Sequence, residues 1–302
     1  MLKAAGLAVL AVAVAAVAGV AVARDEPSVA VQPVRTTVAT PTPVVKPKAK
    51  PVVKPSPSTT IDLSLQGLAA ANKLYGAGKV PAVRCVLPAA APETKAELLA
   101  YARVMVACMD RAWAPLVDRS QAVFFPVKTV QAYDLKKPAA APECGDAPKN
   151  MDAFYDKGTI CFEWPEFSDP DEPVWNLVDF QQLIAHEYGH HVQNSTGILA
   201  TYDAGWWKQP KAVQLENERR LELQASCLGA AFLGANRTSF KLAGERLRIW
   251  KSIVRHVGDE NNTLKIRDHG SYKSHAYWTT RAFASTNPAT CNTFTAAPKR
   301  VS

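Results

Sequence analysis

The sequence predicts an α+β fold, mainly helical with a small sheet, preceded by a signal segment and a disordered Pro-rich tether. Three observations carry this. Five stretches after residue 93 repeat apolar residues at three- and four-residue spacing. Two runs between residues 122 and 164 are rich in β-formers bounded by turn residues. The first 60 residues have a composition that suits neither.

Residues 1–23 carry Lys3, an Ala/Val/Leu/Gly run and a closing Ala21-Val22-Ala23. A positive start, an apolar stretch and an A-x-A pattern read as a signal peptide cleaved after Ala23. The alternative is an uncleaved N-terminal anchor, since about 20 apolar residues span a bilayer. Both place the rest of the chain outside the cytoplasm, secreted or tethered to the cell envelope.

Residues 24–60 form the linker. From residue 27 on it holds eight prolines, five basic residues and no acidic ones, so most of the formal charge of +8 lies there. Such a stretch is extended and solvated, and reaches on the order of 100 Å. It suits a soluble spacer, or electrostatic contact with an acidic envelope polymer or lipid. No nucleic-acid motif is present.

Residues 61–302 suit one compact domain. All six cysteines lie there, beginning at Cys85. An even count behind an export signal argues for disulfides, and the absence of any C-x-x-C pair argues against a cysteine metal site.

A short helical candidate covers Leu65–Tyr75. A strong helix runs from Thr94 to about Val117, started by Glu93-Thr94 and Glu97 with Pro92 outside. Ala122–Tyr133 reads as a strand broken near Pro126, followed by a Pro/Ala loop from Lys137 to Pro142. Ala153–Trp164 reads as a hairpin turning at Asp156-Lys157-Gly158. An exposed edge of this small sheet can pair with an extended peptide.

The next helix opens at Pro173 and stops at Ser195-Thr196-Gly197. It contains His186-Glu187-Tyr188-Gly189-His190-His191-Val192-Gln193, with H-E-x-x-H inside it. Positions i and i+4 lie one turn apart on one face, so His186 and His190 can both reach one zinc ion. Glu187 can lean over the open position and take a proton from a water held there. His191 points about 100° away from His190, which suits a surface or supporting residue rather than a ligand.

After Trp206-Trp207 a second long helix runs from about Val213 to Gly234. Its apolar later part contains one carboxylate, Glu222. A buried carboxylate needs a partner, and zinc is one. The alternatives are a salt bridge to Arg219 or Arg220, partial exposure, or Glu218 as the ligand instead. A third helix covers Phe240–Val257 and ends at Gly258, with His256 as a C-terminal charge. A loop through Asp259 leads to Asp268-His269-Gly270-Ser271 and a final helix, Tyr272–Ser285.

These residues resemble the bacterial neutral zinc metallopeptidase family, through the H-E-x-x-H octet and Leu221-Glu222-Leu223-Gln224-Ala225-Ser226-Cys227. Val257-Gly258-Asp259, the His269-Gly270-Ser271 turn and Cys291-Asn292-Thr293-Phe294 also match, so the likeness covers roughly residues 72–294. The resemblance implies a zincin-like domain that cleaves a peptide or protein substrate. It implies Zn2+ on His186, His190 and Glu222, Glu187 as general base and His269 steadying the oxyanion. It also suggests Cys144–Cys161 and Cys227–Cys291 bridges, leaving Cys85–Cys108. One departure stands out. The family motif has aspartate where this chain has Ser226, and that aspartate would orient a zinc-bound histidine. Loss of such a partner costs about 10- to 100-fold in affinity or activity. The alternative function is therefore a catalytically weakened or inactive envelope binding protein on the same scaffold.

Overall fold

A computed structural model describes residues 65–137, 144, 151–203, 208–262 and 265–302. The signal segment, the linker, Trp206-Trp207 and nearly all of the Pro/Ala loop lie outside the described residues. Seven helices and three strands follow in the order α1 (Leu65–Ala70), α2 (Lys95–Arg119), β1 (Thr129–Tyr133), β2 (Ala153–Asp156), β3 (Thr159–Glu163), α3 (Pro173–Ser195), α4 (Ile198–Asp203), α5 (Lys211–Ala235), α6 (Gly244–Ile253) and α7 (Tyr272–Ser285) among the described residues. The α+β expectation, mainly helical with a small sheet, is met.

Helix α2 starts as its sequence predicts. The Thr94 side chain accepts from the Glu97 amide, and Glu97 reaches back to the Thr94 amide, closing a capping box. Pro173 opens α3 at its first helical position, where a missing N–H costs nothing. Two expected elements are shorter. Only Thr129–Tyr133 of the Ala122–Tyr133 run pairs as a strand, because Pro126 has no amide to give a ladder. The third helix covers Gly244–Ile253 rather than Phe240–Val257, since Lys241 and Gly244 adopt positive φ and start it late.

The sheet has order β1-β3-β2, with β1 parallel and β2 antiparallel to β3. The two-residue turn Lys157-Gly158 has positive φ at both positions, the twist that a tight hairpin needs. This leaves β1 and β2 as edges.

Helix α5 is the centre of the core. Every residue from Arg220 to Gly234 is buried, as is every residue of α3 from Ile184 to Gln193. The two helices meet almost backbone to backbone. A Cβ on Gly189 would stand 2.2 Å from the Ala225 carbonyl oxygen, and one on Gly229 would stand 2.4 Å from that of Ala185. Ala185 and Gly189 are one turn apart on α3, and Ala225 and Gly229 one turn apart on α5, so two small-residue pairs interlock. Three disulfides, Cys85–Cys108, Cys144–Cys161 and Cys227–Cys291, match the pairing that the family resemblance suggested. The last ties α5 to the C-terminal segment.

Gly229→Ala forces α3 and α5 apart or strains both, at a cost of at least about 1–3 kcal/mol. Chemical denaturation measures it; a variant as stable as the wild type would show that the helices slide apart freely.

Candidate metal centre

The interlocked glycines bring Glu222 of α5 over the motif face of α3. Glu222 Oε2 lies 3.2 Å from His186 Nε2 and 3.3 Å from His190 Nε2, and the two nitrogens are 3.2 Å apart. The three donor atoms fall within 4.8 Å of one another and all three residues are buried. Glu218, the competing candidate, is not in this group, and Arg220 pairs with Glu216 instead of Glu222. The Arg219 guanidinium donates to the carbonyls of Val301 and Arg267.

Proton positions decide whether the group suits a cation. Gln193 Nε2 donates to the Leu221 carbonyl and to Gln224 Oε1, which identifies its Oε1 as the acceptor. His190 Nδ1, 2.9 Å from that oxygen, therefore carries hydrogen. With Nδ1 committed to Gln193, the neutral form of the ring turns a bare Nε2 towards Glu222. Lone pairs converging this closely repel unless positive charge lies between them.

The electrostatics ask for that charge. Burial disfavours a charged His190, yet Glu222 beside it raises its pKa to about 9. Burial pushes Glu222 upward, but His190, His269 and His186 hold it well below the usual carboxylate range. A divalent cation supplies positive charge to all three groups at once, and imidazole and carboxylate donors suit zinc.

Glu187 follows His186 on α3 and is fully buried, with neither carboxylate oxygen hydrogen-bonded. Burial raises its pKa to about 8. His269 completes the cluster. Its Nδ1 lies 2.6 Å from Asp268 Oδ1, while its Nε2 has no hydrogen-bond partner and sits 3.6 Å from Glu222 Oε2. Burial opposes its charge, but Glu222 and Asp268 raise its pKa to about 9. The loop carrying it is held by Asp259, whose carboxylate accepts the amides of Asp268, His269 and Gly270 at 2.8–3.1 Å.

Three supporting residues escaped sequence reasoning. Gln193 had a signal, since it lies three residues after His190 on one helix face. Asp268 stands next to His269. His275 had none: it is 49 residues from Ser226, and only the packing of α7 on α5 joins them, Nε2 to Oγ at 2.9 Å. Ser226 Oγ in turn lies 2.7 Å from His186 Nδ1, where the family resemblance expected aspartate to act. His191 is neither a ligand nor on the surface. It is fully buried, its Nε2 donating to the Phe125 carbonyl and its Nδ1 accepting from the Tyr155 hydroxyl.

Residues 73–294 match the family model described as "Putative neutral zinc metallopeptidase". The chain belongs to that family. It is 26% identical over 213 residues to the "Uncharacterized protein YpfJ" of Escherichia coli (strain K12), covering 66% of this chain and 72% of that protein. The YpfJ protein of Escherichia coli O6:H1 matches to the same extent. No solved structure matches significantly. The family implies Zn2+, and the His186, His190 and Glu222 donor set fits it.

Asp259→Ala should free the loop of His269. Hydrogen bonds to a carboxylate are worth about 1.5–3 kcal/mol each, so exchange protection of amides 268–270 should fall at least about tenfold with the fold intact. Unchanged protection there would mean that other contacts hold the loop.

Proposed function

We propose that this is an exported zinc metallopeptidase that hydrolyses peptide bonds, with His186, His190 and Glu222 as metal ligands and Glu187 as general base. One observation carries the reading: a fully buried Glu187 carboxylate without hydrogen bonds stands beside three converging donor atoms. A structural metal site has no use for such a group.

Bound zinc supplies a Lewis acid that polarises the scissile carbonyl and makes water acidic, with a pKa near about 7. Glu187 does the proton work. Burial raises its carboxyl, and the positive charge of a bound cation would hold it ionised, so that it accepts the proton of the attacking water as the carbon–oxygen bond forms. It then delivers that proton to the departing amine as the carbon–nitrogen bond breaks. His269, aimed at the site by Asp268 and with an unpaired Nε2, donates to the developing oxyanion when protonated.

The scissile group approaches a small pocket of about 80 Å³ lined by Asp179, Leu183, His186, Glu222, His269 and Asp152. Asp152 directly precedes β2, an edge strand, so an extended peptide that adds to β2 runs past the ligands. Three disulfides suit an oxidising, extracytoplasmic compartment. Among the described residues no helix is long and apolar enough to cross a membrane. On this reading the basic linker has acidic envelope polymer or lipid as an electrostatic partner.

A second reading, a weakened or inactive envelope binding protein, is favoured by Ser226 in place of the family aspartate. Zinc content together with chelator-sensitive cleavage of a peptide library separates the two. Bound zinc without cleavage of any member favours the binding protein.

Glu187→Gln should keep zinc and lose cleavage by about 100-fold or more. Persistent turnover would remove Glu187 from the mechanism. Glu222→Ala should release the metal, and unchanged zinc by elemental analysis would reject it as a ligand. His269→Ala should retain zinc and lower kcat by about 100- to 1,000-fold with little change in KM. A pure KM effect would instead make His269 a substrate-binding residue.

A further inference from the structure

We propose that Ser226 and His275 form a neutral hydrogen-bond chain that fixes the tautomer of His186, making His275 a positioning residue of the metal site. The inference rests on the reading of His186 as a ligand. It concerns an arrangement in which no carboxylate takes part.

The chain of donors runs in one direction only. It begins at the Val254 carbonyl just past the end of α6, which can accept but never donate. His275 Nδ1 of α7 lies 3.3 Å from that oxygen, so Nδ1 carries hydrogen. His275 is only 4% exposed, and burial followed by the nearby His186 lowers its pKa to about 3. The ring is therefore neutral and its Nε2 is bare. That nitrogen lies 2.9 Å from Ser226 Oγ and accepts the hydroxyl hydrogen. A serine has one hydrogen to give. With it committed to His275, Oγ meets His186 Nδ1 at 2.7 Å as an acceptor, and His186 must donate. His186 then carries its hydrogen on Nδ1 and turns a bare Nε2 to the site, the tautomer that binds a metal.

The reverse direction fails at the Val254 end, where it sets a lone pair of His275 Nδ1 against a carbonyl oxygen. At the other end it places a hydrogen on His186 Nε2, which Glu222 Oε2 at 3.2 Å can accept but which blocks that nitrogen as a ligand. A serine by itself cannot choose between the two, because a hydroxyl rotates and can donate to His186 as readily as accept. Ser226 is 1% exposed, so bulk water is not at hand to take the hydroxyl hydrogen in place of His275. A carboxylate at the same position needs no such helper, since it only accepts. His275 thus makes a serine behave towards His186 as an acceptor, and the departure from the family motif leaves the ligand oriented.

The two side-chain amides probe the two ring nitrogens separately. In His275→Gln the amide oxygen falls near the Nε2 position and can still accept from Ser226. In His275→Asn the amide reaches only the Nδ1 position and leaves the hydroxyl free to rotate. The test uses the purified full chain with zinc affinity read by chelator competition. The His186 tautomer is read from 15N chemical shifts in the metal-free protein. His275→Asn and Ser226→Ala should each weaken zinc by about 10- to 100-fold, and His275→Gln by much less. In a Ser226→Asp background, His275→Asn should cost less than about threefold. The wild-type His186 should be the Nδ1–H tautomer, with His275→Asn shifting it towards Nε2–H. Equal losses for Gln and Asn, or equal losses in both backgrounds, would reduce His275 to a packing residue and overturn the proposal. So would a His186 that carries its hydrogen on Nε2 in the wild type. A wild type that binds zinc with the tautomer fixed but cleaves nothing supports the hydrogen-bond chain and overturns only the peptidase reading.

Discussion

The distance between α3 and α5 governs everything at the site. Packed helices ordinarily stand 8–10 Å apart, with the separation set by the side chains between them. Gly189 and Gly229 remove those side chains at two levels, so the Ala225 and Ala185 carbonyls nearly touch the opposite backbone. Glu222 has a short side chain, and His186 and His190 reach outward from their own helix axis. With methyl groups in the seam, the carboxylate would stand back and the three donor atoms would no longer share a point. The glycines also sit where they do for a reason of register. Gly189 lies between Glu187 and His190, and Gly229 lies seven residues, about two turns, beyond Glu222 on the same side of α5. The seam and the donor set are therefore one feature seen at two radii from the helix axes.

A close seam creates a second problem, because it buries charge. Glu187, Glu222, His186 and His190 are all inside, where an isolated ion is costly. The imidazoles are each answered by a partner that fixes their orientation. Gln193 holds His190 from the same helix. Asp268 holds His269 from the adjacent loop position, and Asp259 holds that loop through three amides. Neither oxygen of Glu187 has such a partner, which leaves its carboxylate free to exchange a proton, the property a base requires.

Much of this was legible in the residues and some was not. The H-E-x-x-H spacing, Pro173 and the Ser195-Thr196-Gly197 stop place α3 correctly because helix geometry is local. The Thr94 and Glu97 capping box is equally local. Glu222 stood out because α5 has one carboxylate in its apolar half, but the choice against Glu218 needed the helix rotation that only packing decides. The Ala185–Gly189 and Ala225–Gly229 pairs were visible as small residues at four-residue spacing, yet nothing in one chain says that two such pairs face each other. His275 was hidden for the same reason. The late start of α6 turns on two left-handed backbone positions, Lys241 and Gly244, of which only glycine is a signal. Lysine at positive φ follows no local rule.

Replacing an anionic acceptor by a neutral one changes the metal as well as its orientation. A carboxylate hydrogen-bonded to Nδ1 raises the basicity of the ring and strengthens its bond to the metal. A serine hydroxyl does this less, so Ser226 leaves His186 a weaker donor held in the right place. A carboxylate at position 226 would bring more negative charge to a bound cation and make it a poorer electrophile. Ser226 therefore trades affinity for Lewis acidity: orientation is preserved through His275 while less negative charge reaches the metal. On the metallopeptidase reading the substitution is compatible with an intact site: the geometry of α3, α5 and α7 keeps His186 oriented, while less negative charge would reach a bound metal.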